Sequence, residues 1–392
     1  MLNVEFCRRS KTILCLSLGI LLLLSAHCGD FTLFDDGDGG NGDNGSTEEV
    51  CPLPFSNLDD YTDLGQLSPD EPLDNPVALA VVPPGMEFTF NSRAVEPGDV
   101  LVADRDKGKI FVVPSGGTAF EMITVQAPAG LALFSWIPED TALEEEIHLL
   151  FYTSATRNSF FIYDLAGTLF PTSHPSIEVT NTLLSGTPLN EPTSLAVRGT
   201  QEKASLFVLN LNNGSANSQT IVRINVSLGA LPSYSTATLA QRFSNLRDMA
   251  YRSSTDQLFF TQNNLDELDD VIRIFRIQNA TAESPTPLDG QAGPLPFLEE
   301  DPGVLTNPAG LAIPFTDQEG GQSALLVTQP LSELHSFIQY DPTSGSYEAS
   351  LGSPDPDQPT AIAYDCTNQR ILFTNIPLNQ EFFGSSLWEI KK

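Results

Sequence analysis

A short motif of the form Pro-x-x-Leu-Ala returns along the chain and restricts the possible folds more than any other feature of the sequence. Its copies begin at Pro76, Pro128, Pro192, Pro308 and Pro359, with a weaker copy at Leu246 that lacks the proline. Successive copies lie 51 to 64 residues apart. Six units at this spacing are typical of a radial or solenoid repeat protein.

The segments after each motif predict how one unit folds. A run of four to six apolar residues comes next and stops at a polar residue, as in residues 100–104. These runs are rich in β-branched and aromatic residues, which favours buried strands. An alternating segment such as residues 271–277 follows, and several units end in a poorer strand candidate such as residues 119–124. Four antiparallel strands in each of six units predict an all-β fold, the six-bladed β-propeller.

The final unit predicts how the ring of blades closes. It offers only three strand candidates, at residues 360–364, 370–373 and 386–390. A bare sheet edge would remain unless another segment supplied the outer strand. We expect residues 61–67, which lie just before the first unit, to pair with this edge and complete the last blade.

The N-terminus has the features of an exported chain. Arg8, Arg9 and Lys11 precede the apolar run of residues 13–24. This run has the length of a signal-peptide core and is short for a membrane span. The sequence therefore predicts a signal peptide over residues 1–27.

The end of this segment resembles the lipobox of bacterial lipoproteins, in which the cysteine after the cut carries a lipid: Leu24-Ser25-Ala26-His27-Cys28. His27 departs from the small residue usual at its position. The resemblance implies a lipid on Cys28, and an ordinary secretory cut that leaves this cysteine free is the alternative. Gly29 resembles the sorting signal for the outer membrane more than the one for the inner membrane.

Residues 28–50 predict a flexible acidic tether, and residues 51–392 the propeller. From Asp35 to Glu49 the chain is mostly Gly, Asp, Asn and Ser, with little to bury. The run of residues 36–43 matches neither of two known calcium-loop spacings, which favours a spacer. The acidic cluster of residues 266–270 is interpreted as a solvated loop, with peripheral calcium as the alternative.

The charge and the cysteines limit the partners and the compartment. The chain has 50 acidic and 19 basic residues and a net charge of −31, so nucleic acid is not an expected partner. Of the five cysteines, two lie in the predicted signal peptide and Cys28 is the predicted lipid site. Cys51 and Cys366 remain, and an even pair in an oxidising compartment predicts a disulfide that ties the N-terminal segment to the last unit.

The repeat is similar to that of the NHL, YWTD and gluconolactonase-like (TolB-like) six-bladed propellers. The resemblance rests on Asn/Glu-Pro-x-Gly/Ser-Leu-Ala-Val, on the run Leu-x-Val-Ala/Thr-Asp/Asn after it, and on an Ile-rich third strand, over roughly residues 61–392. It is specific for architecture. Propellers with unrelated activities share the pattern, so it implies no single function.

One polar residue closes the second strand of each unit. These strand-end residues are Asp104, Ser154, Asn210, Gln262, Gln329 and Asn375. Second strands run antiparallel to the channel strands, so their ends share one face with the blade connections. We expect a binding face there, formed with the long loops that follow. The alternative is that these residues only stop the strands and bind loop backbone.

An enzyme interpretation follows the gluconolactonase-like resemblance, which implies a divalent metal at the channel mouth and hydrolysis of lactones. Asp104, Asn210 and Asn375 are the residue types that a hard cation such as calcium prefers. The carboxylates that the resemblance implies are largely missing, because no Glu lies on a channel strand and only one strand-end residue is acidic. No bound cofactor is predicted.

The remaining chemistry of the sequence does not point to a catalytic site. His148, His174 and His335 are the only histidines after the predicted cut, and the sequence lacks a Gly-x-Ser-x-Gly elbow. The sequence favours an envelope lipoprotein, anchored in a membrane through Cys28, that acts as a binding or scaffold module for a protein or glycan. A metal-dependent, lactonase-like hydrolase is the alternative.

Overall fold

The structure is a computed structural model of the whole chain. It describes the following residues: 60–64, 73–116, 118–136, 147–167, 169–170, 175–200, 203–212, 218–227, 232–264, 271–282, 296–299, 304–314, 324–330, 335–352, 358–376 and 385–391. Residues 49–392 belong to one compact unit. The predicted signal peptide and the predicted tether lie outside the described residues.

The described strands form six antiparallel blades, numbered here in chain order. Blade one contains Pro76–Val81, Val100–Asp104, Lys109–Val113 and Phe120–Thr124. Blade two contains Pro128–Trp136, Ile147–Ser154, Ser159–Asp164 and Ser176–Val179. Blade three contains Pro192–Thr200, Lys203–Asn210, Gln219–Ser227 and Ser233–Phe243, and the short strand Leu184–Ser185 pairs in parallel with its outer edge.

The second half of the ring repeats this order. Blade four contains Leu246–Arg252, Gln257–Asn264, Val271–Gln278 and Pro296–Glu299, with a 3-10 turn at Ser253–Thr255. Blade five contains Leu311–Ala312, Leu325–Thr328, Phe337–Tyr340 and Tyr347–Leu351. Blade six contains Pro359–Asp365, Arg370–Asn375, Ser386–Lys391 and the N-terminal strand Asp60–Asp63. A separate hairpin, Phe88–Phe90 with Arg93–Val95, lies within blade one's first connection.

The N-terminal strand closes the ring as the sequence predicts. Asp60 pairs with Lys391 and Asp63 with Trp388, both in antiparallel register. The amide of Leu64 continues the ladder by donating to the Leu387 carbonyl at 3.0 Å. The last blade therefore takes its outer strand from the front of the chain. This pairing covers the edge that the third strand of blade six would otherwise leave bare.

A buried ion network also joins blade six to blade one. Arg370 donates to Asp365 and Glu389, each at 2.8 Å. A further guanidinium nitrogen donates to the Gly98 carbonyl at 2.9 Å, across the junction between the last and first blades. Gly98 has φ +89°, and a Cβ there would lie 2.3 Å from the side chain of Asn368, so only glycine fits. The buried charges are paired, as a low-dielectric site requires.

The inner strands form the wall of the central channel and carry the Pro-x-x-Leu-Ala motif. In five blades the pairing shifts within the motif: between its first and fourth residues in blades two, three, four and six, as between Pro128 and Leu131, and between its first and third in blade one. The bulge frees an amide, and a threonine near the end of the second strand binds it. In blade two, Thr153 accepts from the Gly130 amide at 2.8 Å and donates to the Thr193 carbonyl of blade three at 2.9 Å. Thr328 of blade five makes the same two bonds, with the Gly310 amide and the Thr360 carbonyl of blade six, both at 2.7 Å.

This close approach explains the glycines of the motif. A Cβ on Gly310 would lie 2.0 Å from the Thr360 carbonyl oxygen, and one on Gly130 would lie 2.4 Å from the Thr193 carbonyl oxygen. Real Cβ atoms do not approach backbone this closely, so glycine allows the next blade to pack against these two. The motif thus fixes both the bulge and the spacing of neighbouring blades.

Candidate functional site

All six strand-end residues are buried in the bodies of their blades. Their exposed fractions are Asp104 0%, Ser154 0%, Asn210 1%, Gln262 8%, Gln329 0% and Asn375 6%. In five blades the strand-end residue pairs with the first residue of the inner-strand motif, as Asp104 does with Pro76. The six positions are therefore equivalent in the repeat.

Their side chains bind the backbone of the segment that enters the same blade. Asp104 accepts from the amides of Asp74 at 2.7 Å, Asn75 at 3.2 Å and Lys107 at 3.1 Å. Gln329 accepts from the amide of Thr306 at 2.6 Å and donates to the carbonyl of Val304 at 2.6 Å. The bonds of the other four follow the same scheme: Ser154 to the Gln126 carbonyl, Asn210 to Asn190 and Pro188, Gln262 to the Ser244 carbonyl, and Asn375 to the Gln358 amide.

The three weak metal candidates do not fit a cation. Both carboxylate oxygens of Asp104 accept backbone amides. The amide oxygens of Asn210 and Asn375 also accept backbone amides, at 2.7 Å and 3.0 Å. Because these oxygens face donors on three separate blades, they form no common donor set. Within the described part of the chain, no group of three or more His, Cys, Asp or Glu side chains is placed to hold a metal.

The open space of the molecule is the central channel, and the residues that directly follow the strand-end residues line it. A cavity of about 720 Å³ runs between the inner strands. In five blades the residue after the strand-end residue lines it: Arg105, Leu211, Asn263, Pro330 and Ile376. Successive residues of an extended chain point to opposite sides, so the strand-end side chain points into the blade and the next one into the channel. The channel mouth on this face is the candidate site.

The third motif position separates blade four from the others. Ala78, Gly130, Ser194, Gly310 and Ala361 occupy it in the other blades, and blade four has Asp248 there. Asp248 lines the cavity. The missing proline of this copy did not indicate a functional position, whereas the acid that replaces a small residue at the third position does.

Asp248 connects three blades. Its carboxylate accepts from the Ser194 hydroxyl of blade three at 2.6 Å and from the Leu311 amide of blade five at 2.9 Å. Burial raises the pKa of this carboxyl to about 6, against the opposing effect of these hydrogen bonds. The carboxyl of Asp248 therefore loses its proton closer to neutral pH than an ordinary aspartate does.

Three groups at the same mouth are linked by hydrogen bonds: the side chains of Asn263 and Asn307 and the carbonyl of Pro330. The Asn307 amide donates to the Pro330 carbonyl at 3.0 Å, and its oxygen accepts from the Asn263 amide nitrogen. The Pro330 carbonyl can only accept, so this order fixes the orientation of both amides. Asn263 is 3% exposed, and among the described residues its side-chain oxygen has no hydrogen-bond partner.

Two arginines reach the mouth from different blades. Arg105 of blade one lies 3.7 Å from the carboxylate of Glu191, with about a third of its side chain exposed. Arg247 of blade four is exposed and lines the cavity. Among the described residues, Arg247 has no hydrogen-bond or ion-pair partner. Each inner strand contacts the inner strands of the blades before and after it, so blades one and four lie across the ring from each other.

The remaining predicted residues lie away from this mouth or outside the described residues. His148 is buried in Ile147–Ser154 and pairs with the Ser135 hydroxyl at 2.9 Å, whereas His335 precedes Phe337–Tyr340 and lies 2.7 Å from the Ser350 hydroxyl. Cys366 is disulfide-bonded. Cys28, Cys51, His174 and residues 266–270 lie outside the described residues, so the Cys51 to Cys366 pairing stays a prediction. Among the residues described, no helix has the length and hydropathy to cross a bilayer.

The chain is similar to proteins of known structure in its fold alone. No family model and no curated protein matches the chain. A gluconolactonase from Xanthomonas campestris is 14% identical, covering 81% of this chain and 87% of that one with a TM-score of 0.48. Virginiamycin B lyase from Staphylococcus aureus is 16% identical, with 81% and 82% covered and a TM-score of 0.46. An α-L-arabinofuranosidase from Fusarium graminearum is 8% identical, with 81% and 97% covered and a TM-score of 0.47. Similarities of this size carry no argument about what this chain binds.

Proposed function

We propose that the protein is an envelope lipoprotein, anchored through Cys28, that binds its ligand at the channel mouth on the face where the second strands end. The observation that supports this most is the cavity of about 720 Å³, which is within the range of small-molecule sites. Polar groups converge at its mouth on a rigid ring of strands. The strand-end residues stabilise the loops of this face, because their polar atoms form hydrogen bonds with loop backbone.

A retention experiment tests the binding role. The unit from Glu49 to Lys392 is immobilised and incubated with envelope extract, and the retained protein, glycan and small molecules are identified by mass spectrometry. Arg247→Gln is the matched variant, because Arg247 is exposed and its loss should not disturb the fold. We expect a component that the wild type retains and this variant releases. Identical retention by both proteins would overturn the assignment of the site.

The anchor has its own measurement. The intact mature protein should have the mass of a chain that begins at a lipidated Cys28, and Cys28→Ser should abolish the lipid mass and release the protein from membranes. A chain cut elsewhere in the first 50 residues, without lipid, would contradict the lipoprotein assignment. It would leave the binding role of the propeller unaffected.

A hydrolase is the second candidate, and Asp248 is the observation that favours it. A channel carboxyl with a pKa of about 6 is suited to proton transfer near neutral pH. The three metal candidates of the sequence do not support a metal-dependent form. A panel of lactones and esters, with metal analysis of the purified protein, separates the candidates. Turnover that Asp248→Asn abolishes would favour the hydrolase, and no turnover with or without added divalent metal would leave the binding module.

A further inference from the structure

The channel has two chemically different walls. The inner strands of blades one and two present an apolar wall, which includes Val77, Leu79, Ala129 and Leu131. Blade four lies across from it and also has apolar lining residues, such as Met249 and Ala250, but it adds the polar groups Arg247, Asp248 and Asn263. With Ser194 and Asn307 on either side, these polar groups are called the polar wall here. A uniformly polar ligand would leave the apolar wall without a matching surface. A plain hydrocarbon would leave the polar wall without hydrogen-bond partners.

The apolar wall is accessible from the channel. Val77, Leu79 and Val81 of blade one are only partly buried, although they lie at the centre of the molecule. Partly exposed aliphatic side chains at the centre of a large domain favour an apolar occupant, since their burial against it stabilises the complex. Arg105 is the charged exception on this side, and Glu191 already pairs with it.

The polar wall provides one free cation and one free acceptor. Arg247 has five donor groups and no partner among the described residues, and an anionic carboxylate matches it in charge and shape. The oxygen of Asn263 is buried and has no partner in the part of the chain that the structure describes, so it is matched by a hydrogen-bond donor on the ligand. Asp248, which follows Arg247 in the chain, is already bound to Ser194 and to the Leu311 amide.

We propose that the channel binds an amphipathic ligand: an acyl chain along the apolar wall, and a head that combines a carboxylate for Arg247 with a hydrogen-bond donor for Asn263. N-acyl amino acids have this chemistry, with the amide N–H one methylene from the carboxylate in the glycine conjugate. The assignment rests on the proposed binding function and narrows it to a ligand class.

Three probes with one chain length isolate the parts of the ligand. N-decanoylglycine has the chain, the donor and the carboxylate; decanoate lacks the amide donor; decanol lacks the charge. Binding to the full-length purified protein is measured by calorimetry, below the concentration at which each probe self-associates. We expect the affinity order N-decanoylglycine, then decanoate, then decanol, with about tenfold between successive probes.

Two variants and one control connect the probes to the residues. Arg247→Gln should weaken the binding of N-decanoylglycine and decanoate about tenfold and leave the binding of decanol unchanged. Asn263→Ala should weaken the binding of N-decanoylglycine only. Arg242→Gln is the matched control, because it removes the same charge from an exposed side chain on the fourth strand of blade three, which does not line the cavity, and it should change no affinity by more than about twofold. Melting curves check that every variant is folded.

The outcomes distinguish this inference from the function on which it rests. If no probe binds, or if Arg242→Gln weakens binding as much as Arg247→Gln does, the ligand class is wrong. Retention from the extract that still depends on Arg247 would then leave the binding function in place. If neither the probes nor the extract depends on Arg247, both proposals fail. Equal loss of all three probes in Arg247→Gln would overturn the carboxylate assignment.

Discussion

Asp104 and Arg105 are neighbours in the chain, yet they belong to two different regions of the molecule. Asp104 lies in the body of blade one and accepts three backbone amides, whereas the next side chain lines the channel. Gln262 and Asn263 repeat this division in blade four. The strand-end region holds the loops at the blade ends, and the channel region presents chemistry to a ligand. A shift of one residue along a strand separates structural from functional positions.

Asp104→Ala should give the largest effect that distinguishes these regions. The change leaves the amides of Asp74, Asn75 and Lys107 without their acceptor in a buried site, so we expect a loss of about 2 to 4 kcal/mol in the free energy of unfolding. Urea unfolding measures it. Arg105→Ala is the control from the other region, with an expected change within about 0.5 kcal/mol. Comparable losses in the two variants would remove the distinction between the regions.

Gly310→Ala tests whether a residue that lines the channel also contributes to the stability of the fold. The added Cβ would lie 2.0 Å from the Thr360 carbonyl oxygen, so blades five and six must move apart. We expect a loss of about 1 to 3 kcal/mol in thermal or urea unfolding. Gly116 has nothing within 4 Å of such a Cβ, so Gly116→Ala serves as the control. An unchanged stability in Gly310→Ala would show that the blades are not packed as closely as described.

Thr328→Val isolates the hydrogen bonds at the same junction. The replacement keeps the shape of the side chain but leaves the Gly310 amide and the Thr360 carbonyl unpaired, at a cost of about 1 to 2 kcal/mol. Thr328→Ser keeps the hydroxyl and should retain most of the stability. Hydrogen exchange at the Gly310 amide gives a local measure, since exchange should become faster in the valine variant only. Equal exchange in both variants would contradict the role of the hydroxyl.

The repeat could be predicted from sequence because its signals are local. The motif spacing, the apolar runs and the missing strand of the last unit each predict a feature that the structure confirms, and Asp60–Asp63 pairs at the expected edge. The bulge is less visible, because it appears only when the inner strand is paired with its neighbour. The glycine at position 310 then becomes explicable, since the close approach of Thr360 comes from the next blade.

The site was harder to predict because it depends on side-chain direction and on ring position. The six strand-end residues occupy equivalent positions in the repeat, but a strand period of two directs their side chains into the blades and those of Arg105 and Asn263 into the channel. The assignment of Arg247 and Leu79 to opposite walls needs the order of blades in space. Asp248 was within reach of the sequence, because an acid replaces a small residue at one copy of an aligned position.

Asp248→Asn should change the free energy of unfolding by an amount that depends on pH. The pKa of this carboxyl is raised to about 6 in the folded protein from 3.8, so its neutral form favours folding: the stabilisation is full below pH 3.8 and is lost as the pH rises through 6. The variant does not titrate, and its amide can donate to Ser194 and accept from Leu311. We expect its stability relative to wild type to rise on the order of 1 to 2 kcal/mol between pH 4 and 7, a range reduced because the carboxyl is partly exposed to the channel. Ser194→Ala alters the same junction but keeps the acid, so it should retain the pH dependence; a constant difference between Asp248→Asn and wild type over this range would contradict the raised pKa.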